Sequence, residues 1–419
     1  MRSAGQSVRA TRPHGDAARS GARRHLRVVP AAPRTARERS AAARKDLRML
    51  WASGGFLTAV GLIMVLSAGS VSAAQGYDGN PFWYFQRQVV YAAVGIGAAV
   101  SCARMRPRSW RAASIPLLGV SGVLMLVAAL PGSGTSLYGA SRWLDLGPVT
   151  LQPSEFAKLG LVAFTATILS AKWDRLGDIR HVLLPLGPVL AVVAGLGIAQ
   201  RDLGTTVILC ATVFVMLFMA GVRLRYLLLG GAIGLAGTVS LIVGETYRRT
   251  RFFDAWLDPW KDPSSTGYQL IQGLIAFGSG GWFGTGLGTS RAKWDFLPNA
   301  HSDFIFAVIG EELGLAGSLV ILAAFGLLMF AGIRISIHAT GTFERLLAGG
   351  IVVWIGLQTI INLGAVTGLL PITGVPLPLV SFGGTALVVT LGGIGVLASV
   401  AREPLRKSAG RTRAPKARS

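Results

Sequence analysis

Apolar runs near 20 residues long, separated by short polar stretches, recur along the chain. Each is long enough to cross ~30 Å of hydrocarbon as a helix. About ten are visible, at roughly 49–70, 87–103, 113–131, 155–171, 182–199, 204–222, 224–243, 304–333, 346–366 and 384–401. The pattern predicts an all-α polytopic membrane protein of about ten transmembrane helices. One large loop over 244–303, and Pro- and Gly-broken stretches at membrane depth, predict re-entrant elements. Gly inside the runs fits helices that pack closely in lipid. No internal repeat is evident. The first run reads as a retained span, since about 48 polar residues precede it and it is too long for a signal's apolar core.

Composition sharpens this. With 51% hydrophobic and 14% charged residues among 419, the chain is not a soluble globular enzyme. The net charge of +22 points away from nucleic acid once it is located. Residues 1–48 carry 13 Lys/Arg against 3 Asp/Glu, and 402–419 carry 7 against 1. Both tails read as disordered basic segments, 1–48 and 403–419, flanking a membrane domain over 49–402. They suit anionic headgroups, with partner docking as the alternative. The short basic loops after every second span fall on the same side as both tails, which makes that side cytoplasmic by the positive-inside rule. The acids collect on the other side, so the working face looks outward. Cys102 and Cys210 sit in or beside spans, which argues against a structural disulfide.

Four polar blocks carry candidate chemistry. In Gly139–Lys158, Pro153 suits the first position of a helix and Glu155 its third, where a carboxylate complements the dipole. Glu155 and Lys158 share a helix face, as a cap plus ion pair or as groups facing a cavity. Arg142 and Trp143 together suit a phosphate and an apolar chain. In Gln200–Thr205, Asp202 caps a helix or neutralises a basic side chain from another loop. Within the long loop, the glycines of 278–288 lack the Gly-Lys-Ser/Thr of a nucleotide loop and suit close backbone approach. A loop this long is functional or folded in its own right.

The third block, Arg291–Gly314, sets Asp303 where a charged loop becomes an apolar helix, with Asp295 and His301 before it and Glu311 and Glu312 after it. Asp303 suits either an ordinary helix cap or chemistry at the membrane boundary. His301 has no second His at ligand spacing. By helical rotation Glu311 can line the cavity of Asp303, whereas Glu312 points to another helix. The fourth block, Gly368–Thr385, breaks a helix with three prolines and offers Ser381 and Thr385 as hydroxyls.

Taken together, Gly139–Lys158, Arg291–Gly314 and Gly368–Gly384, with Gln200–Thr205 as a weaker fourth, resemble the SEDS family (shape, elongation, division and sporulation; FtsW, RodA and SpoVE). The wording of 297–306 is most similar to its FtsW-like cell-division branch. The resemblance spans about residues 50–402. It implies a peptidoglycan glycosyltransferase that polymerises lipid II into β-1,4 glycan strands outside the cytoplasmic membrane and releases undecaprenyl pyrophosphate. It implies a class B penicillin-binding protein and other divisome proteins as partners, and a place at the division septum. Asp303 matches the family's essential aspartate, and Asp295 a position of importance. The family's alternatives are a lipid II flippase or a non-catalytic divisome scaffold. Arg201, Asn299, Phe382 and Thr385 depart from the frequent family residues. The chemistry agrees, since a carboxylate can take the proton of an attacking sugar hydroxyl. The leaving diphosphate needs Arg or Lys, with Lys158 and Arg142 as candidates and Arg248 and Arg249 as further ones, or a divalent cation such as Mg or Mn.

Overall fold

The computed structural model describes residues 36–413 apart from 78, 131–134, 138–139, 146 and 148–149. Twelve α-helices account for most of it: α1 (Ala36–Gly76), α2 (Trp83–Arg104), α3 (Pro107–Ala129), α4 (Pro153–Ala171), α5 (Arg180–Ala199), α6 (Leu203–Met219), α7 (Leu224–Val243), α8 (Thr246–Phe252), α9 (Tyr268–Ser279), α10 (Ile305–His338), α11 (Thr342–Val366) and α12 (Gly384–Arg413). Among the described residues, eight are long and apolar enough to cross a membrane: α1, α3, α4, α5, α7, α10, α11 and α12. α6 is a shorter apolar helix, and α2, with Arg87 and Arg104, lies outside that set. All ten expected runs therefore fall on helices. α2 packs along α12, where Gly395 lets the Ala99 carbonyl approach and Gly95 makes room for Leu391. Its last carbonyls accept bonds from Arg402 and Arg406 of α12, cations placed where a helix dipole favours them.

The exposed side chains of α7, which buries only Leu227, are mostly apolar. Polar side chains such as Gln88, Thr165, Lys158 and Gln358 lie inside. Two expected boundaries move. The chain is helical from Ala36, not from 49, and its Ala-rich stretch after Ser40 favours helix. α12 likewise runs on to Arg413. The rest of the tails lies outside the described residues.

The long loop is folded in its own right. It contains α8, α9 and a turn over 292–296. A small antiparallel sheet, Thr135–Leu137, Ala140–Asp145 and Thr150–Leu151, carries Arg142 and Trp143 ahead of α4.

α10 is broken. Gly314 has φ 67 and ψ −168, which interrupts the helix that the apolar run over 304–333 predicted. The freed backbone groups pair with the glycine run. Thr285 and Gly286 donate to the carbonyls of Glu311 and Glu312, and Leu315 and Ala316 donate to those of Gly281 and Trp282. Broken backbone at membrane depth is tolerated when such partners replace the helix bonds. The glycines of 278–288 thus serve backbone meeting backbone: a Cβ at Gly284 would overlap the Glu312 carbonyl, and one at Gly280 the Gly310 carbonyl.

Candidate active site

Residues 298–304 form turns that lead into α10, whose N-cap is Phe304. Asp303 therefore stands one residue outside the cap position. Its turn is held through three successive carbonyls. His301 accepts from the Phe382 amide at 3.0 Å, Ser302 from Ser381 Oγ at 2.6 Å, and Asp303 from Asn362 Nδ2 at 2.9 Å. The Asp303 side chain is half-buried, and a Cβ on Gly374 would stand 3.6 Å from its Oδ2. Gly374 has φ +72, a conformation open to glycine, so the backbone itself forms the wall beside the carboxylate.

That wall belongs to the Pro-broken segment between α11 and α12. Its backbone groups find partners among buried side chains of the helices. Val375 O accepts from Asn362 Nδ2 at 2.8 Å, Pro376 O from Gln358 Nε2 at 3.0 Å and Ser381 O from Gln88 Nε2 at 3.1 Å. Gly61 of α1 and Gly204 of α6 let the carbonyls of Leu379 and Thr373 pass close by. Ser381 Oγ also accepts from the Leu377 amide at 2.9 Å, while Thr385 Oγ1 bridges Gln152 N and Thr150 O. Both hydroxyls are thus committed to backbone.

Below this wall, Lys158 Nζ lies 2.7 Å from Glu155 and donates to Gln358 Oε1 at 2.8 Å. Both charged side chains are only 1% exposed. Trp354 Nε1 donates to the same Gln358 oxygen at 3.0 Å. The ion pair therefore supports Gln358, and Lys158 has no open face toward a ligand. Arg142, 24% exposed, stands 3.8 Å from Asp202 and donates to the Arg201 carbonyl. Asp202 also caps α6 through the Thr205 amide at 3.2 Å, so both readings of that residue coexist. Trp143 lies beside Arg142 on the sheet, half-buried.

The remaining residues separate. Glu311 does not face Asp303 as helical rotation predicted. Its carboxylate accepts from Ser290 Oγ at 2.5 Å and from the amides of Arg291 and Ala292 at 2.9 and 3.3 Å. The rotation counted from 303 fails because Asp303 lies in the turn before α10, which begins only at Ile305, while Ser290–Ala292 supply the donors that hold the Glu311 carboxylate. Glu312 does meet another helix, accepting from Ser67 Oγ of α1 at 2.6 Å. His301 stacks on Tyr84 at 4.1 Å with Phe382 alongside, and its Nδ1 is buried without a partner. Burial pushes its imidazole down to about 4, so it stays neutral near pH 7. Asp295 is exposed, with φ 63. Among the described residues, no three His, Cys, Asp or Glu side chains converge as metal ligands.

A family model described as cell cycle protein, spanning FtsW, RodA and SpoVE, matches residues 47–405. The chain belongs to the FtsW/RodA/SpoVE family. It is 41% identical to the probable peptidoglycan glycosyltransferase FtsW of Geobacter metallireducens, over 82% of this chain and 91% of that protein. Stage V sporulation protein E of Bacillus subtilis is 39% identical, over 83% and 94%. Among solved structures, a chain of a peptidoglycan synthase complex that coordinates polymerization and crosslinking superposes with a TM-score of 0.68 at 30% identity, over 85% and 97%. The rod shape determining protein RodA of Thermus thermophilus gives 0.62 at 28%, over 84% and 96%. The fold of the FtsW/RodA/SpoVE family is thus shared along nearly the whole membrane domain. Within it, Gln88, Gln358 and Asn362 are the site residues that the motifs missed. The available signal was a Gln and an Asn four apart on one face of an apolar helix, α11.

Proposed function

We propose that this chain is a peptidoglycan glycosyltransferase, with lipid II as donor and acceptor, that works at the outer face of the cytoplasmic membrane during cell division. The observation that carries it is Asp303: a carboxylate at the mouth of a membrane helix, with its turn fixed by three bonds and a glycine wall beside it. The names of the relatives, peptidoglycan glycosyltransferases and a peptidoglycan synthase complex, support the same activity.

The acceptor sugar hydroxyl attacks the anomeric carbon of the donor. Its oxygen bonds to that carbon as the carbon–oxygen bond to the diphosphate breaks, and its proton passes to Asp303 as general base. Undecaprenyl pyrophosphate leaves. One base with no nucleophilic carboxylate beside it suits single displacement with inversion. Arg142 is the candidate for the departing diphosphate, since Lys158 is enclosed by its own partners. A divalent cation at this site would be held by the Asp303 carboxylate and would offset the charge of the diphosphate, without a three-residue cage among the described residues. The class B penicillin-binding protein supplies crosslinking, and both basic tails lie in the cytoplasm by their charge.

The test is purified protein with labelled lipid II, alone and with its transpeptidase, read as polymer on a gel. The wild type should make polymer, and Asp303→Asn should lose ~10²–10⁴-fold in rate, the range expected of general-base loss. No polymer from the wild type rejects the enzyme reading. Undiminished polymer from Asp303→Asn rejects the base.

A further inference from the structure

We propose that Asn362 is a positioning residue for the reaction, holding the Asp303 turn and the glycine wall in one register. It does so only if Asp303 is the base, as assigned above. One side-chain nitrogen spans both parts of the site: Asn362 Nδ2 donates to Asp303 O at 2.9 Å and to Val375 O at 2.8 Å. The first belongs to the residue that bears the carboxylate. The second adjoins Gly374, whose Cβ position lies 3.6 Å from that carboxylate's Oδ2. A single planar amide therefore ties base and wall directly, alongside the bonds from Ser381 and Phe382 to the same turn.

The amide can point only one way. Reversed, its oxygen would face two carbonyl oxygens. As it stands, Asn362 Oδ1 is buried without a hydrogen-bond partner, and an orphaned buried acceptor costs stability. A residue kept merely to hold α11 in place would not need that cost. One helical turn earlier on the same face, Gln358 repeats the contact at Pro376 O, and its own oxygen is fixed by Lys158 and Trp354. The buried Glu155–Lys158 pair thereby acts through Gln358 to stiffen the rung below. Ser381 completes the arrangement from the far side, through Ser302 O.

Misplacing a catalytic group by about 1 Å costs on the order of 100-fold in rate. The experiment is lipid II polymerisation by full-length Asn362→Leu, which has similar width and no amide. Thr359→Ala is the packing control: its hydroxyl bonds only within α11, to the Ile355 carbonyl. The expected result is kcat lower by on the order of 100-fold with KM within about threefold, while Thr359→Ala keeps both. An unchanged kcat in folded Asn362→Leu, or a KM that rises while kcat holds, overturns the proposal. Should Asn362→Leu fail to fold, Asn362→Ala decides: kcat lower by on the order of 100-fold at constant KM supports the positioning, and unchanged kcat overturns it. An inactive Asp303→Asn beside a fully active Asn362→Leu rejects the positioning alone. Undiminished Asp303→Asn removes the base and the positioning role with it.

Discussion

At Asp303 the restraint is carried by the backbone. Three carbonyls in a row are bonded from α11 and from the segment just before α12, which fixes the turn that presents the carboxylate. His301 adds a second restraint through its stack on Tyr84. Its imidazole stays neutral in the folded chain down to about pH 4, whereas in the unfolded chain it takes a proton near 6.5. The unfolded state binds more protons between those values, so stability falls as pH drops from about 6.5 toward 4. Melting in detergent across that window should show the decline, and His301→Phe should flatten it. Asp303 was legible because a carboxylate where a polar loop meets an apolar run has few meanings. Asn362 was not, because an amide inside an apolar helix acquires its meaning from segments distant in sequence.

At the scale of elements, the broken α10 and the glycine run are one unit. Gly284 and Gly314 combine positive φ with backbone on the side where a Cβ would go. Gly284→Ala and Gly314→Ala should each destabilise by at least ~1–3 kcal/mol, the cost of a sparsely allowed backbone alone. Gly278, with open space around it, should accept Ala with little change, as thermal unfolding in detergent will show. The ten apolar runs and the folded nature of the long loop followed from pattern and length. The break at Gly314 did not, since a single Gly among apolar residues reads as ordinary helix until its partners in 281–286 are known.

Across the whole molecule, α1 and α10 run antiparallel and are fixed to each other at two levels. Asp46 meets Arg334 at 2.6 Å and His338 at 3.6 Å, and Ser67 meets Glu312 at 2.6 Å. The intervals match: Asp46 to Ser67 is 21 residues, ~32 Å at 1.5 Å per residue, and Arg334 back to the break at Gly314, beside Glu312, is 20 residues, ~30 Å. Both carboxylates are buried, so neither helix can slide without stranding one of them. This makes the pair a gauge of hydrophobic thickness. The apolar length between the two polar levels is close to ~30 Å, the core of an ordinary bilayer. A thinner membrane must be met by tilting the bundle or deforming the lipid, because shortening is not available. Polymer formation in vesicles of graded acyl-chain length should therefore peak where the hydrocarbon matches that interval and decline on either side.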